Sequence, residues 1–507
     1  MSYKQNNFFS QVVKSILCTG IFLFTITGCE SDDDSDDTLG SVRLYNASAN
    51  APEIFLTVDE NIDEYDDDEA DDFEKTFSSI ELGESTGNFE LEAKEYYVEL
   101  AWQDDDSSYR DDLEVIYQTE HKITKDNIHL IVIAEDIQSP TVLSYDIAEI
   151  DDDDDADDEL FNLSLLNMHP WSDGIDIYLS KSDESFNQAK LLGEYNYTEL
   201  SDNQKLEIDE YVFYITSAGS EEVLYQSSEI DYQYTNQYVM VIRENPGVGD
   251  SPFVIDRVSS SNVELYQHEG DSAQFRTFNA IVNHDLLPNY QGEFALSLNS
   301  VDDSIEISAT EFGEFSNSVG TAEGDYSADL SIPDTGEIIL QNHLITLAEN
   351  TDKTIFFYLE EDDVDLDGDG DVDEDGDGYV DEVEITVKSL VVDNSTSASI
   401  YNHEIKIINF VDNDDFNAVG FYFVRSDELI ETASLYQNVS YSSPAAITLV
   451  NNTYSIYAVA QDGSSDVILV STQLTLDENS EAMFLILEEN IDAPSGYNVK
   501  FANQKGY

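Results

Sequence analysis

The chain has 507 residues, enough for several domains, and 41% of them are hydrophobic, enough to build cores. Lys and Arg number 20 against 109 Asp and Glu, a net charge of −89, which excludes nucleic acid and anionic lipid headgroups as partners and favours cations or basic surfaces. Self-repulsion on this scale destabilises compact states at low salt, so a saline habitat or bound divalent cations are expected.

Lys4 and Lys14 form a sparse positive region ahead of an apolar run, Ser15 to Thr27. That run is too short and wrongly flanked for a spanning helix and reads as a signal peptide over residues 1–28. It ends in Ile26-Thr27-Gly28-Cys29, which resembles the lipobox of bacterial lipoproteins. The resemblance implies that Cys29 becomes the mature N-terminus and carries the lipid, whose buried CH₂ groups anchor the protein to a membrane. Cys18 leaves with the signal peptide, so the mature chain has no disulfide and no thiol nucleophile. Residues 29–40 form an acidic, apolar-poor tether, extended in solution. Glu30 after the cysteine, where enteric-type sorting reads Asp as inner-membrane retention, implies an outer-membrane lipoprotein of a Gram-negative bacterium. The tether is similar to surface-export signals of some such lipoproteins, so the periplasmic face and the cell surface both stay open.

Beyond the tether, two anchors recur four times. The first is an alternating strand ending in Asn: Val42 to Asn46, Leu163 to Asn167, Phe275 to Asn279 and Ile405 to Asn409. The second is an apolar run ending in Glu and then Asp or Asn: Leu130 to Asp136, Val239 to Asn245, Phe356 to Asp362 and Phe484 to Asn490. These runs are short and nearly continuous, as strands buried on both faces would be. Period-two alternation elsewhere and the absence of long amphipathic patterns predict an all-β protein. Four tandem β-sandwich, immunoglobulin-like modules of about seven strands each are expected, at 41–150, 159–266, 272–396 and 399–507, forming an elongated arm. The opening Val42-Arg43-Leu44-Tyr45-Asn46-Ala47-Ser48-Ala49-Asn50-Ala51-Pro52 resembles a bacterial envelope domain family of unknown function that opens V-R-x-x-x-A-S-P-x-A-P. Ala49 replaces the family's proline. The resemblance implies an exported, often lipid-anchored tandem architecture and brings no catalytic residues.

Acidic runs at Asp59 to Glu74 and Asp151 to Glu159 lack the glycine a tight cation loop needs and read as solvated spacers. The run at residues 363–384 is different. Asp373, Asp375 and Asp377 occupy positions 1, 3 and 5 of an EF-hand-type calcium loop, Gly378 the sharp turn, and Tyr379 the carbonyl position. Asp381 falls at position 9 and Glu384 at position 12, where a bidentate carboxylate closes the shell. An upstream copy with Asp365, Asp367, Asp369 and Asp371 lacks the closing glutamate and is the weaker site. Inserted between two strands, the loop is nearer the loop-only calcium repeats of thrombospondin-type proteins than a helix–loop–helix sensor.

The seven histidines show no metal-binding spacing, and no nucleophile elbow, P-loop or dinucleotide fingerprint is present. His169-Pro170-Trp171 reads as a self-packed loop, with a ligand platform as the alternative. The sequence thus predicts a non-enzymatic, lipid-anchored, calcium-binding envelope scaffold for adhesion or interaction with an unknown protein or polysaccharide partner. The alternative is a carbohydrate-binding or carbohydrate-processing accessory protein, which a cluster of exposed aromatics on one sheet face would favour. A hydrolase would instead need two close carboxylates in a cleft, one with a raised pKa.

Overall fold

The computed structural model describes residues 38–61, 73–104, 107, 110–150, 159–170, 174–301, 304–365, 372–373, 380–413, 416, 418–462 and 465–506. The first module holds β1 (Leu39–Asn46), β2 (Ile54–Asp59), β3 (Glu74–Ile80), β4 (Phe89–Glu92), β5 (Glu95–Trp102), β6 (Glu114–Lys122), β7 (Asn127–Ala134) and β8 (Thr141–Ala148). The second holds β9 (Leu160–Asn167), β10 (Ile175–Lys181), β11 (Lys190–Tyr195), β12 (Gln204–Glu207), β13 (Glu210–Ser217), β14 (Val223–Gln226), β15 (Ile230–Asp231), β16 (Gln237–Glu244), β17 (Phe253–Val258) and β18 (Val263–Tyr266). The third holds β19 (Ala273–Ala280), β20 (Glu293–Asn299), β21 (Ser304–Glu311), β22 (Val319–Thr321), β23 (Gly324–Ser331), β24 (Ile338–Leu347), β25 (Asp352–Asp363) and β26 (Val383–Asp393). The fourth holds β27 (Asn402–Asn409), β28 (Ala418–Val424), β29 (Leu435–Ser440), β30 (Ala445–Val450), β31 (Thr453–Asp462), β32 (Ser465–Thr475), β33 (Met483–Glu489) and β34 (Tyr497–Asn503).

One topology serves all four. In the first module a β4-β1-β7-β8 sheet faces a β3-β2-β5-β6 sheet, and the third and fourth repeat this order. The second adds β15 and β18 at sheet edges. Each first strand runs parallel to its module's apolar-run strand, as Ser41–Asn46 does to Ile128–Ile133, while the other pairs are antiparallel. The modules therefore carry eight strands or more rather than seven. The strands that alternation missed include the edges of the second sheet, such as β3 and β6. Both faces of these edges are partly wet, so the apolar–polar contrast is weak.

The recurring asparagine is a brace between sheets. Asn46, Asn167 and Asn409 end the first strand of their modules, and Asn279 is the penultimate residue of its own. Each donates its amide across the sandwich, to the carbonyls of Ile80, Tyr195, Thr310 and Val439 respectively. Each side-chain oxygen accepts the backbone N–H two residues on, at 3.0 Å in all four copies. All four are buried, so losing the amide strands backbone groups in a dry site. Asn279→Ala, which also deprives the Tyr290 hydroxyl of its acceptor, is expected to destabilise the third module by on the order of 3 kcal/mol. Asn279→Asp, which keeps the acceptor, should lose less. Hydrogen exchange in β20 and β23 reads the effect, and unchanged protection in Asn279→Ala would refute the bracing role.

The four apolar runs are buried on both faces, and the second face is covered by another module. Tyr45, Leu130 and Val132 of the first module pack on Leu166, Val239 and Val241 of the second. Phe278 and Phe356 of the third pack on Phe410, Phe484 and Ile486 of the fourth. Further contacts join the two pairs. Trp102 stacks on Tyr401 with centroids 4.2 Å apart, and Asn245 and Asn350 exchange amide hydrogen bonds of 3.1 and 2.8 Å. Gly249 lies so close to Asp271 that a Cβ there would sit 1.9 Å from the carboxylate. Neighbouring modules thus meet through core-like contacts rather than through linkers alone. The modules share cores in pairs because their outward apolar faces must leave water.

Candidate functional site

The calcium-type run sits at the tip of the β25–β26 hairpin. These strands stay paired from Lys353↔Asp393 out to Asp363↔Val383, and Val364 N–H then donates to Glu382 O. Burial ends sooner: Leu359 is in the core, whereas Glu361, Asp362 and Asp363 are exposed. Ile385, opposite Glu361, still packs on the core, so only the last rungs, Asp362↔Glu384 and Asp363↔Val383, pass beyond it as a two-stranded ribbon. Neighbouring modules show no such extension, since β7 and β8 have 8 residues each against 12 and 11 here.

The ribbon's charge is one-sided. Asp362 lies directly opposite Glu384, a like-charge pair that destabilises a ladder. Between Glu360 and Thr386 there is no basic residue. Lys388 reaches Glu360 at 3.1 Å and His284 reaches Glu361 at 3.0 Å, both at the ribbon's base. The hydrogen bond and charge of Glu360 raise the Lys388 ammonium pKa. Of the residues expected to hold the cation, Glu384 lies in β26 with its side chain exposed, and Asp381 donates its N–H to Val372 O. Asp365 and Asp373 lie in the connection. Asp367, Asp369, Asp371, Asp375, Asp377 and Tyr379 fall outside the described residues, as does Cys29.

A second acidic assembly is structural. Asp256 lies in the interface between the first two modules, with its side chain 1% exposed. Arg243 Nε donates to its Oδ2 at 2.6 Å and the Tyr45 hydroxyl donates to the same oxygen at 2.5 Å. Burial raises the Asp256 carboxyl pKa even though Arg243 and Tyr45 pull it down. Beside it, a cavity of about 450 Å³ is lined by Asn50, Glu135, Asp136, Tyr197, Arg243 and Lys505, where three modules and the C-terminal segment meet. The Gln138 N–H and the Asn50 amide lower the Asp136 pKa, the reverse of what a general acid requires.

Sequence spacing missed one convergence. His121, His129 and Asp146, from β6, β7 and β8, bring metal-capable atoms within 4.8 Å of one another. Thr124 N–H donates to His129 Nε2 at 2.8 Å, so that nitrogen carries the lone pair and Nδ1 the proton. Asp146 Oδ1 lies 2.7 Å from Nδ1, a close charge contact without hydrogen-bond alignment, while the Thr124 bond occupies the other ring nitrogen. Strand register, not linear spacing, makes this cluster, which is why it was not legible. His169 packs on Phe253, ring centroids 4.5 Å apart, and burial lowers its pKa to about 4. Its part of the loop is self-packed, while Trp171 lies outside the described residues.

Fold and site together define an all-β protein of tandem, paired sandwiches with one acidic projecting ribbon. No family model matches the chain, and no curated protein matches it. Solved structures do. The Bacillus anthracis TIE protein is 11% identical, with 91% of this chain and 75% of that one covered and a TM-score of 0.16. A DUF3823 family protein from Bacteroides ovatus is 16% identical over 41% of this chain and all of that one, at a TM-score of 0.12. Two B repeat units of the collagen binding protein of Staphylococcus aureus are 7% identical, covering 92% and 99%, at 0.12. Likenesses at these scores carry no functional argument, which rests on the residues of this chain.

Proposed function

We propose that this protein is a non-enzymatic, lipid-anchored scaffold of the cell envelope that binds calcium at the β25–β26 ribbon. The observation that carries the reading is the ribbon itself. A two-stranded ladder outside any core is marginal in water. This one sets Asp362 against Glu384 and leads into a run whose spacing matches a calcium loop. A divalent cation bound there offsets the repulsion and closes the tip. Two further apolar clusters join the modules in pairs, as a scaffold requires. Lipidation at Cys29 and an outer-membrane address belong to the same reading and rest on the N-terminal motif.

Calorimetric titration of the signal-less protein tests the calcium site. Binding with a Kd of about 10⁻⁴ to 10⁻³ M is expected, as for extracellular modules. Asp377→Ala and Glu384→Gln should each abolish the heat, because each removes a first-coordination oxygen. If the unmodified protein gives no heat with calcium, the calcium-binding part of the reading is wrong.

A further inference from the structure

We infer that the solvent face of the β29-β28-β31-β32 sheet, in the fourth module, is a binding platform for a neutral glycan. Register alone assembles it. Tyr422 lies opposite Tyr436 on one side and Tyr457 on the other, so three tyrosines form a row across three neighbouring strands. The next row holds Asn438, Gly420 and Val459 in register. Beyond it lie Ala418 on β28 and the paired Gln461 and Asp466. The small residues Gly420 and Ala418 leave a trough of about 450 Å³ beside the rings.

The trough is shaped rather than merely bare. Tyr422 and Tyr436 have centroids 4.7 Å apart with planes inclined 39°, and Tyr436 is 43% exposed. The Tyr436 ring leans over Gly420 so closely that a Cβ there would meet it at 2.9 Å. A residue without a side chain is what lets the ring lie along the sheet. Elsewhere the same position is closed or absent. In the second module the corresponding pair, Tyr178 and Tyr214, is capped by Phe186, with centroids 5.1 and 5.3 Å away. In the third, Ser297 faces Asp329 at that register.

The chemistry points to a sugar. The faces of a pyranose ring carry C–H groups that pack on the electron-rich face of an aromatic ring. The ring's hydroxyls need donors and acceptors at the rim, which Asn438, Gln461 and Asp466 supply. The exposed lining is mainly polar, which suits a ligand that brings many hydroxyls and only part of one apolar face. Among the described residues no Lys, Arg or His lines the trough, and the chain's net charge of −89 repels polyanions, so the glycan is uncharged. Among the described lining residues, the rings of Phe416, Tyr422 and Tyr436 stand beside a single carboxylate, Asp466, which also argues against a basic peptide.

The platform is independent of the calcium reading, since it lies on another module. Native gels cast with neutral polysaccharides (amylopectin, xyloglucan, galactomannan and a β-1,3-glucan), with alginate as the polyanion, test it in calcium and in EDTA. At least one neutral polymer should retard the protein in both conditions. Tyr422→Ala and Tyr436→Ala should weaken that retardation at least tenfold, and Tyr178→Ala should not. Asn438→Ala, exposed on an edge strand, is the second variant should a tyrosine change disturb folding, and it should weaken retardation severalfold. Retardation by no neutral polymer, by alginate alone, or to the same extent in the Tyr422 and Tyr436 variants overturns the inference.

Discussion

Asp256→Ala is expected to cost about 3–5 kcal/mol and to open the contact between the first two modules. The carboxylate is the counter-charge of Arg243 in a dry interface, and their side chains are 1% and 7% exposed. Removing it leaves a guanidinium packed on Gly83 and hydrogen-bonded to Glu244 O. The Tyr45 hydroxyl loses its acceptor as well. Most of this loss is the penalty of a buried unpaired charge rather than the worth of the pair. Replacing both ends, as in Arg243→Met with Asp256→Leu, should therefore recover most of the stability. A thermal or urea double-mutant cycle decides the matter: a double variant as unstable as Asp256→Ala alone would rule out this account.

Phe356→Ala should have a comparable effect at the other paired interface, about 3–5 kcal/mol. Phe356 is fully buried, with Phe278, Phe410 and Phe484 centroids at 5.4, 5.7 and 5.2 Å. Two of these rings belong to the fourth module, so the cavity falls between modules rather than inside one. The loss should appear first as faster hydrogen exchange in β25 and β33, while β28, on the far side of the fourth module's core, keeps its protection. Uniform acceleration across both modules would show that the interface and the cores unfold together, contrary to expectation. Phe356→Leu, which refills most of the space, should lose less.

What the sequence displayed, and what it hid, follows from how each feature is encoded. Alternation and the Asn anchors marked the central strands, because a half-buried strand writes its burial into every second residue. The continuous runs at Leu130, Val239, Phe356 and Phe484 announced two-sided burial correctly. They could not say what lies on the second side, since another module supplies it. Tyr45 and Asp256, 211 positions apart, meet for the same reason. The tyrosine row is invisible in the chain because Tyr422, Tyr436 and Tyr457 become neighbours only through cross-strand register. The calcium-type run was the opposite case: its proposed ligands are local, so its spacing is readable, and the structure adds the ribbon that leads into it.

The back-to-back pairing also dictates the order in which a folding chain becomes safe. Each opening strand must wait for a partner far downstream, as Ser41 waits for Ile128, and such distant closures are slow. When the first module has closed, the face carrying Leu130 and Val132 is still bare until the second arrives. The smallest self-sufficient unit is accordingly a pair of modules, and a chain truncated after one or three would display an adhesive sheet face. The heavy negative charge then acquires a role in assembly, holding half-built molecules apart until each sheet has met its mate.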